Sequence, residues 1–302
     1  MILSIIIVSY NTRILLSSLL KSLHNFTFSD KRAHDCEIIV IDNASKDGSA
    51  EMIRKDFPRV IFRKNRTNLG FGPANNQGLK MAKGKYILLL NSDTGIIDNT
   101  IWGNIKILED ETIIGVAAPR LINPDGSDQS SYGYFPNLFK VICWMLFIDD
   151  IPFFIKSIKP YHITHPEKER IVNPDWVTGA CMFIRKDVLE KSGFFDRKIF
   201  MYGEEIELCY RIKKKGYNII YNPSTKVLHH KGASSQNQEA GLVEEFVFIK
   251  YFFKKYKAPW ETKILNLILP VGVLLRVLLF GIIWKDKKKA HIYEKIAETI
   301  GR

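Results

Sequence analysis

The chain has 302 residues, 46% hydrophobic, 25% charged and 12% aromatic, which is room for one large domain or a domain with an appendage and excludes a disordered or collagen-like chain. Lys and Arg number 44 against 32 Asp and Glu, a formal charge of +12, and residues 250–302 hold +8 of it as 12 basic against 4 acidic residues. An excess gathered at one end speaks for an anionic surface as partner more than for a nucleic-acid groove.

Residues 2–8 (ILSIIIV) follow Met1 directly. With no basic stretch before them and no small-residue cleavage site after them, they predict a buried strand and not a secretory leader. Further apolar runs stand at 37–41 (EIIVI), 60–62 (VIF) and 86–90 (YILLL), and helical spacing fills 13–24, 49–56 and 72–83. Near-continuous apolar strands alternating with helices predict a parallel sheet covered on both faces. Residues 114–118 (IGVAA) read as a strand, Pro124, Asp125 and Gly126 as a turn, and the 138–148 run as a buried or lid helix too short for the ~20 residues of a span. Strands are predicted again over 176–184 (WVTGACMFI) and 217–221 (YNIIY), with a helix over 204–215 between them. Cys36, Cys143, Cys181 and Cys209 show neither CxxC spacing nor clustering, so no zinc knuckle or disulfide framework is predicted, and a reducing compartment fits.

The tail differs in kind. Residues 264–284 are almost wholly apolar, enough for a helix of ~31 Å, but include Asn266, Pro270 and Arg276. A central arginine costs about 2.5–3.5 kcal/mol in a bilayer, and lysines flank the segment on both sides, so charge gives no direction of crossing. The expectation is a helix broken at Pro270, lying in or dipping into the inner leaflet with its lysines on anionic headgroups. The alternative is a buried core or dimer helix.

Ligands of open parallel sheets bind beyond the carboxyl ends of the strands. Three such ends here are polar: Ser9-Tyr10-Asn11, Asp42-Asn43 and Asn91-Ser92-Asp93. Each alone fits a helix cap or turn, whereas together they predict one polar rim. Gly70 and Gly72 supply a GxG after the third strand, but Asn75 stands where a third glycine belongs and no acidic strand end follows at the right distance. A dinucleotide fingerprint is therefore not predicted, although a Gly-rich turn opening a helix still suits a diphosphate. Asp93 is a hard oxygen ligand for Mg2+ or Mn2+, against a plain capping role. Glu204, Glu205 and Glu207 open a helix and offer a general base, against ordinary helix-start bias. His229 completes a metal site, against a structural histidine.

The ordered series VSYN, VIDNASKDGS, NLGFGPANNQG, LLLNSDT, WVTGACMFIRKDVLEKSGFFD, FMYGEEIELCYRIKKKGY and HHKGAS resembles glycosyltransferase family 2 over about residues 1–236, most closely its bacterial rhamnosyltransferase-like members. The resemblance implies a GT-A fold, an α/β mostly parallel sheet flanked by helices, here over 1–245, and the composition of 246–302 adds to it a basic, apolar helical membrane-association tail. It implies inverting transfer of a single sugar from a nucleoside-diphosphate sugar, dTDP-rhamnose or a UDP-sugar, to a hydroxyl of a polyprenyl-linked or surface-polysaccharide acceptor at the cytoplasmic face of the membrane. By resemblance Asp42 holds the base, while Ser9, Tyr10, Asn11, Asn68, Gly70, Asn75, Asn91, Ser92 and Asp93 complete the donor site. Asp93 and His229 hold Mg2+ or Mn2+, and Trp176, Thr178, Gly179 and Ala180 line the sugar and acceptor side. Two positions depart from the family pattern. Glu204-Glu205 replaces Glu-Asp, making Glu205 the base with Glu204 as its substitute, and Asn91 leaves the DxD-type element one carboxylate. No QxxRW-like motif points to a processive synthase. A non-catalytic, membrane-bound nucleotide-sugar-binding assembly subunit is the alternative from another class, and basic residues flanking an apolar helix without an aromatic platform do not predict nucleic-acid binding.

Overall fold

The computed structural model describes residues 1–29, 35–148, 151, 159–163, 165–230 and 238–300. Its elements begin β1 (Leu3–Ser9), α1 (Arg13–Ser29), β2 (Cys36–Asp42), α2 (Ser49–Asp56), β3 (Ile61–Lys64), α3 (Phe71–Met81), β4 (Tyr86–Asn91), β5 (Thr94–Ile96), α4 (Thr100–Asp110) and β6 (Ile114–Ile122). They continue with β7 (Tyr132–Gly133), α5 (Leu138–Met145), β8 (Trp176–Val177), β9 (Cys181–Arg185), α6 (Lys186–Ser192), α7 (Glu204–Lys214) and β10 (Asn218–His229). Three helices close the chain: α8 (Gln238–Tyr256), α9 (Pro259–Leu278), which runs into a π-helical turn at Leu279–Ile283, and α10 (Lys287–Ile300). Two compact units result, one of Met1–Tyr132, Thr164–Phe200 and Glu204–Gln236, the other of Gly133–Ile163, Met201–Gly203 and Asn237–Arg302.

The first unit is built on an eight-stranded sheet in the order β3-β2-β1-β4-β9-β6-β10-β5. β3, β2, β1 and β4 are parallel, as their unbroken apolar runs predict, because a strand covered on both faces has no need of polar alternation. Leu3, Ile5, Ile7, Val40, Leu88 and Leu90 pack with Leu16, Leu19 and Leu20 of α1 in one core. β9 enters antiparallel beside β4, and β5 antiparallel beside β10. The 176–184 stretch differs from the single strand expected: residues 178–180 form a turn between β8 and β9, with Thr178 N–H donating to Ser131 O at 2.9 Å. β10 extends well past Tyr221, across a register shift between Asn222 and Lys226 that carries the chain on to His229.

The second unit is helical around aromatic side chains. Phe246, Ile249, Phe252 and Phe253 of α8 are buried, and Trp144 packs at 5.0 Å from Phe246 and 6.2 Å from Tyr161. α9 turns Leu265, Leu269, Gly272, Val273 and Arg276 inward. Arg276 donates to Tyr293 Oη at 2.9 Å and to the Trp144 carbonyl, and its guanidinium lies 4.1 Å from the Phe147 ring centre. Ring faces and neutral acceptors offset its desolvation, so the arginine that counts against a bilayer span belongs to a protein core. α9 also continues through Pro270 where a break is expected. Pro270 and Asn266, whose carbonyl loses its helix partner, both lie on the exposed side, and inward packing at Leu265, Leu269 and Val273 holds the helix across the gap.

Candidate active site

Strand register builds the rim. Ser9 pairs with Asp42 and Val8 with Asn91, so the three polar strand ends stop side by side at the carboxyl edge of the sheet. Ser9 Oγ is 3.0 Å from Thr12 Oγ1, which donates to Ser92 Oγ at 2.8 Å and ties the first and fourth ends together. Asn11 accepts from Lys46 N–H at 2.8 Å, and its own N–H donates to Ser45 Oγ at 2.9 Å, locking the loop after β2 onto the end of β1. Asp42 is fully buried: Oδ1 accepts from Ser45 N–H at 3.2 Å, while Oδ2 has no hydrogen-bond partner among the described residues. Asn91 Oδ1 is orphaned in the same way. Buried polar atoms left unmatched on one rim are what a polar ligand would satisfy. Tyr10 is exposed beside them.

Asn68 Oδ1 accepts from Asn43 Nδ2 at 2.7 Å and from Gly70 N–H at 2.9 Å, shaping the turn into α3. Gly70 has φ +86°, and a Cβ there would meet the Phe200 carbonyl at 2.2 Å; Phe71 N–H bonds that same carbonyl at 2.9 Å. A Cβ on Gly72 would lie 3.1 Å from Phe195 and 3.6 Å from Glu204. These glycines thus admit the 195–204 segment. Asn75 is buried and donates back to the Phe71 carbonyl at 3.1 Å, so that donor serves its own helix.

Asp93 and His229 meet because β5 runs antiparallel to β10, with Thr94 opposite His229. The His230 N–H bonds the Asp93 carbonyl at 2.8 Å, and His229 Nε2 stands 3.3 Å from Asp93 Oδ1. Lys231 to Ser234, the rest of the HxxGxS segment, lie outside the described residues. Among the described residues no three His, Cys, Asp or Glu converge as a complete metal cage. A buried carboxylate and one imidazole fit a Mg2+ or Mn2+ that takes its other ligands from substrate phosphates and water.

The α7 carboxylates separate by environment. Glu207 is buried and accepts along both oxygens from Arg211 Nε and Nη2, while Arg211 Nη1 donates to the Ser192 and Gly193 carbonyls and Nη2 also to that of Phe194, so the pair clamps a loop. Glu204 is 4% exposed with Oε2 unmatched, and burial, then the neighbouring Glu205, holds its pKa well above the usual range. Glu205 is half-buried, and a Cβ built on Gly179 would lie 3.9 Å from its Cβ. Asn91 N–H donates to Ala180 O at 2.9 Å, which joins the 178–180 turn to the rim. These contacts tie the rim to the 178–180 turn, beside which the Glu205 backbone passes. Trp176, Gly179 and Ala180 are buried, leaving Thr178 the more open member of that turn. Thr12 and Gln129, which touches His229, were not singled out by sequence reasoning; the turn after β1 offered a signal for Thr12 alone.

The sequence signature described as Glycosyl transferase family 2 matches residues 4–193. A Mycobacterium tuberculosis relative named N-acetylglucosaminyl-diphospho-decaprenol L-rhamnosyltransferase is 26% identical over 219 residues, 67% of this chain and 69% of the relative. The structure of GalNAc-T7 with UDP, GalNAc and Mn2+ is similar with TM-score 0.56 and 19% identity, covering 83% of this chain and 49% of that one. Residues 1–349 of S. aureus TarS align with TM-score 0.52 and 14% identity, covering 99% and 91% of the two chains, a likeness of fold.

Proposed function

From the premise that this chain belongs to glycosyl transferase family 2 and is a glycosyltransferase, we propose that it moves one sugar, with inversion, from a nucleoside-diphosphate sugar to a hydroxyl of a lipid-linked saccharide. The observation that carries this reading is the single rim that gathers the Asp42 and Asn91 orphaned oxygens, the Asp93–His229 pair and, through Ala180 and Gly179, Glu205. Uracil or thymine suits the Asp42 end, with Ser9, Tyr10, Asn11 and Asn68 around it. Glu205 is the general base: it removes the acceptor hydroxyl proton as the oxygen attacks the anomeric carbon from the face opposite the departing diphosphate. Burial raises the Glu204 pKa, which favours Glu205 as the member of the pair that carries the charge. Asp93 and His229 would hold Mg2+ or Mn2+, which neutralises charge on the leaving diphosphate when bound. The name of the mycobacterial relative favours a polyprenyl-diphosphate-linked acceptor and rhamnose.

That acceptor chemistry and the outer face of α9 favour work at the cytoplasmic membrane surface. Opposite the packed side, Leu267 (72% exposed), Val271, Leu274, Leu278 and Ile282 form an apolar stripe, with Lys285, Lys287, Lys288 and Lys289 exposed at its end. α10 packs back along α9, Tyr293 stacking on Phe280 at 5.5 Å, and exposes Glu294, Lys295 and Glu298. Were α9 to cross a bilayer, those charges would be drawn into hydrocarbon, so α9 lies in the interface plane.

A panel of UDP- and dTDP-sugars with Mn2+ or Mg2+, scored for nucleoside-diphosphate release, tests the reaction. Release from one donor that rises sharply on adding a polyprenyl-diphosphate-linked saccharide is expected. No release from any donor, with or without acceptor, would leave the non-catalytic binding subunit in its place.

A further inference from the structure

The 123–129 turn, a plain loop in the sequence, ends in hydrogen bonds that reach the His229 ring. Gln129, 4% exposed, uses Nε2 on two acceptors, Asn123 Oδ1 at 2.7 Å and the His229 carbonyl at 2.7 Å. That fixes the amide, so the atom 2.7 Å from His229 Nδ1 is Gln129 Oε1, which only accepts. Nδ1 therefore carries a proton, and Nε2 is the ring nitrogen turned toward Asp93 Oδ1, at 3.3 Å. The far end of the chain is anchored too. Asn123 Nδ2 donates to Ser127 Oγ at 2.8 Å, and Ser127 Oγ donates to Asp125 Oδ1 at 2.6 Å. The Ser127 hydroxyl and N–H hold the Asp125 carboxyl below the usual range, so Asp125 is an obligate acceptor and the direction of every bond up to the imidazole is set.

We propose that Gln129 is a positioning residue for the divalent-cation site, fixing the Nδ1–H tautomer of His229 so that Nε2 and Asp93 Oδ1 converge as ligands. The proposal rests on the reading of Asp93 and His229 as the metal side of the transferase, and a partner on the second ring nitrogen is the usual device for orienting a ligating imidazole.

The test uses the full chain and Mn2+, alone and with UDP, with free Mn2+ followed by electron paramagnetic resonance. Gln129→Leu is expected to weaken Mn2+ binding about 10- to 100-fold. In 15N-histidine spectra, with the His229 signal assigned by its loss in His229→Asn, the parent shows the Nδ1–H tautomer and Q129L loses it. Unchanged affinity and tautomer in Q129L overturn the role of Gln129 and leave the transferase reading standing. A parent chain that binds no Mn2+ even with UDP overturns the metal site itself. If Q129L does not fold, Gln129→Met, similar in length and without the amide, carries the same comparison.

Discussion

Glu204 and Glu205 are adjacent in the chain and unlike in physics. Burial, then the neighbouring Glu205, raises the Glu204 pKa in the native state above its unfolded value. Between the ordinary carboxyl range and the raised native value, the native state binds more protons, so stability falls as pH rises through that window. Glu204→Gln removes this dependence. Its melting temperature should match that of the parent near pH 4 and exceed it by a growing margin toward pH 8; a constant margin would deny the burial effect. Glu205→Gln should instead lower turnover by about 10²- to 10⁴-fold with donor affinity kept, measured by nucleoside-diphosphate release and nucleotide titration. Asp93, Glu205 and His229 were legible in the sequence because each stands at a strand end or helix start. Gln129 was not, because the bond that gives it meaning spans 100 positions and exists only where β10 passes the turn.

Among elements, the α3 entrance shows why the GxG pattern misleads. Gly70 is required by a positive φ and a backbone contact, so Gly70→Ala should cost roughly 1–3 kcal/mol from backbone strain alone, read as a lowered denaturation midpoint. α9 carries the opposite lesson. Its 25-residue apolar reach with the π turn, mean hydropathy 2.3, reads as a span, and its inward arginine reads as an obstacle to one. Both readings are met by one helix with a protein face and an outer apolar face. Placing Glu at Leu267, Val271 and Leu274 together should abolish flotation with anionic vesicles while the melting temperature stays near that of the parent, since these side chains touch no core. Retained flotation would move the lipid contact elsewhere.

For the whole molecule, charge and apolar surface coincide at the C-terminal end, where residues 250–302 carry 12 basic and 4 acidic residues. Attraction of that kind is screened within a Debye length of ~8 Å at physiological salt. Vesicle binding should therefore weaken when NaCl rises from 50 to 500 mM, and should weaken further on changing Lys285, Lys287 and Lys288 to Glu. The sequence by itself determined the parallel half of the sheet, the polar strand ends and the apolar tail, because apolar periodicity and turn residues act over a few neighbouring positions. Tertiary structure alone decided that β5 would fold back on β10 to bring Asp93 to His229. It alone separated Glu204 from Glu205 by burial and gave Arg276 an aromatic enclosure, since register, desolvation and ring contacts arise only when distant segments pack.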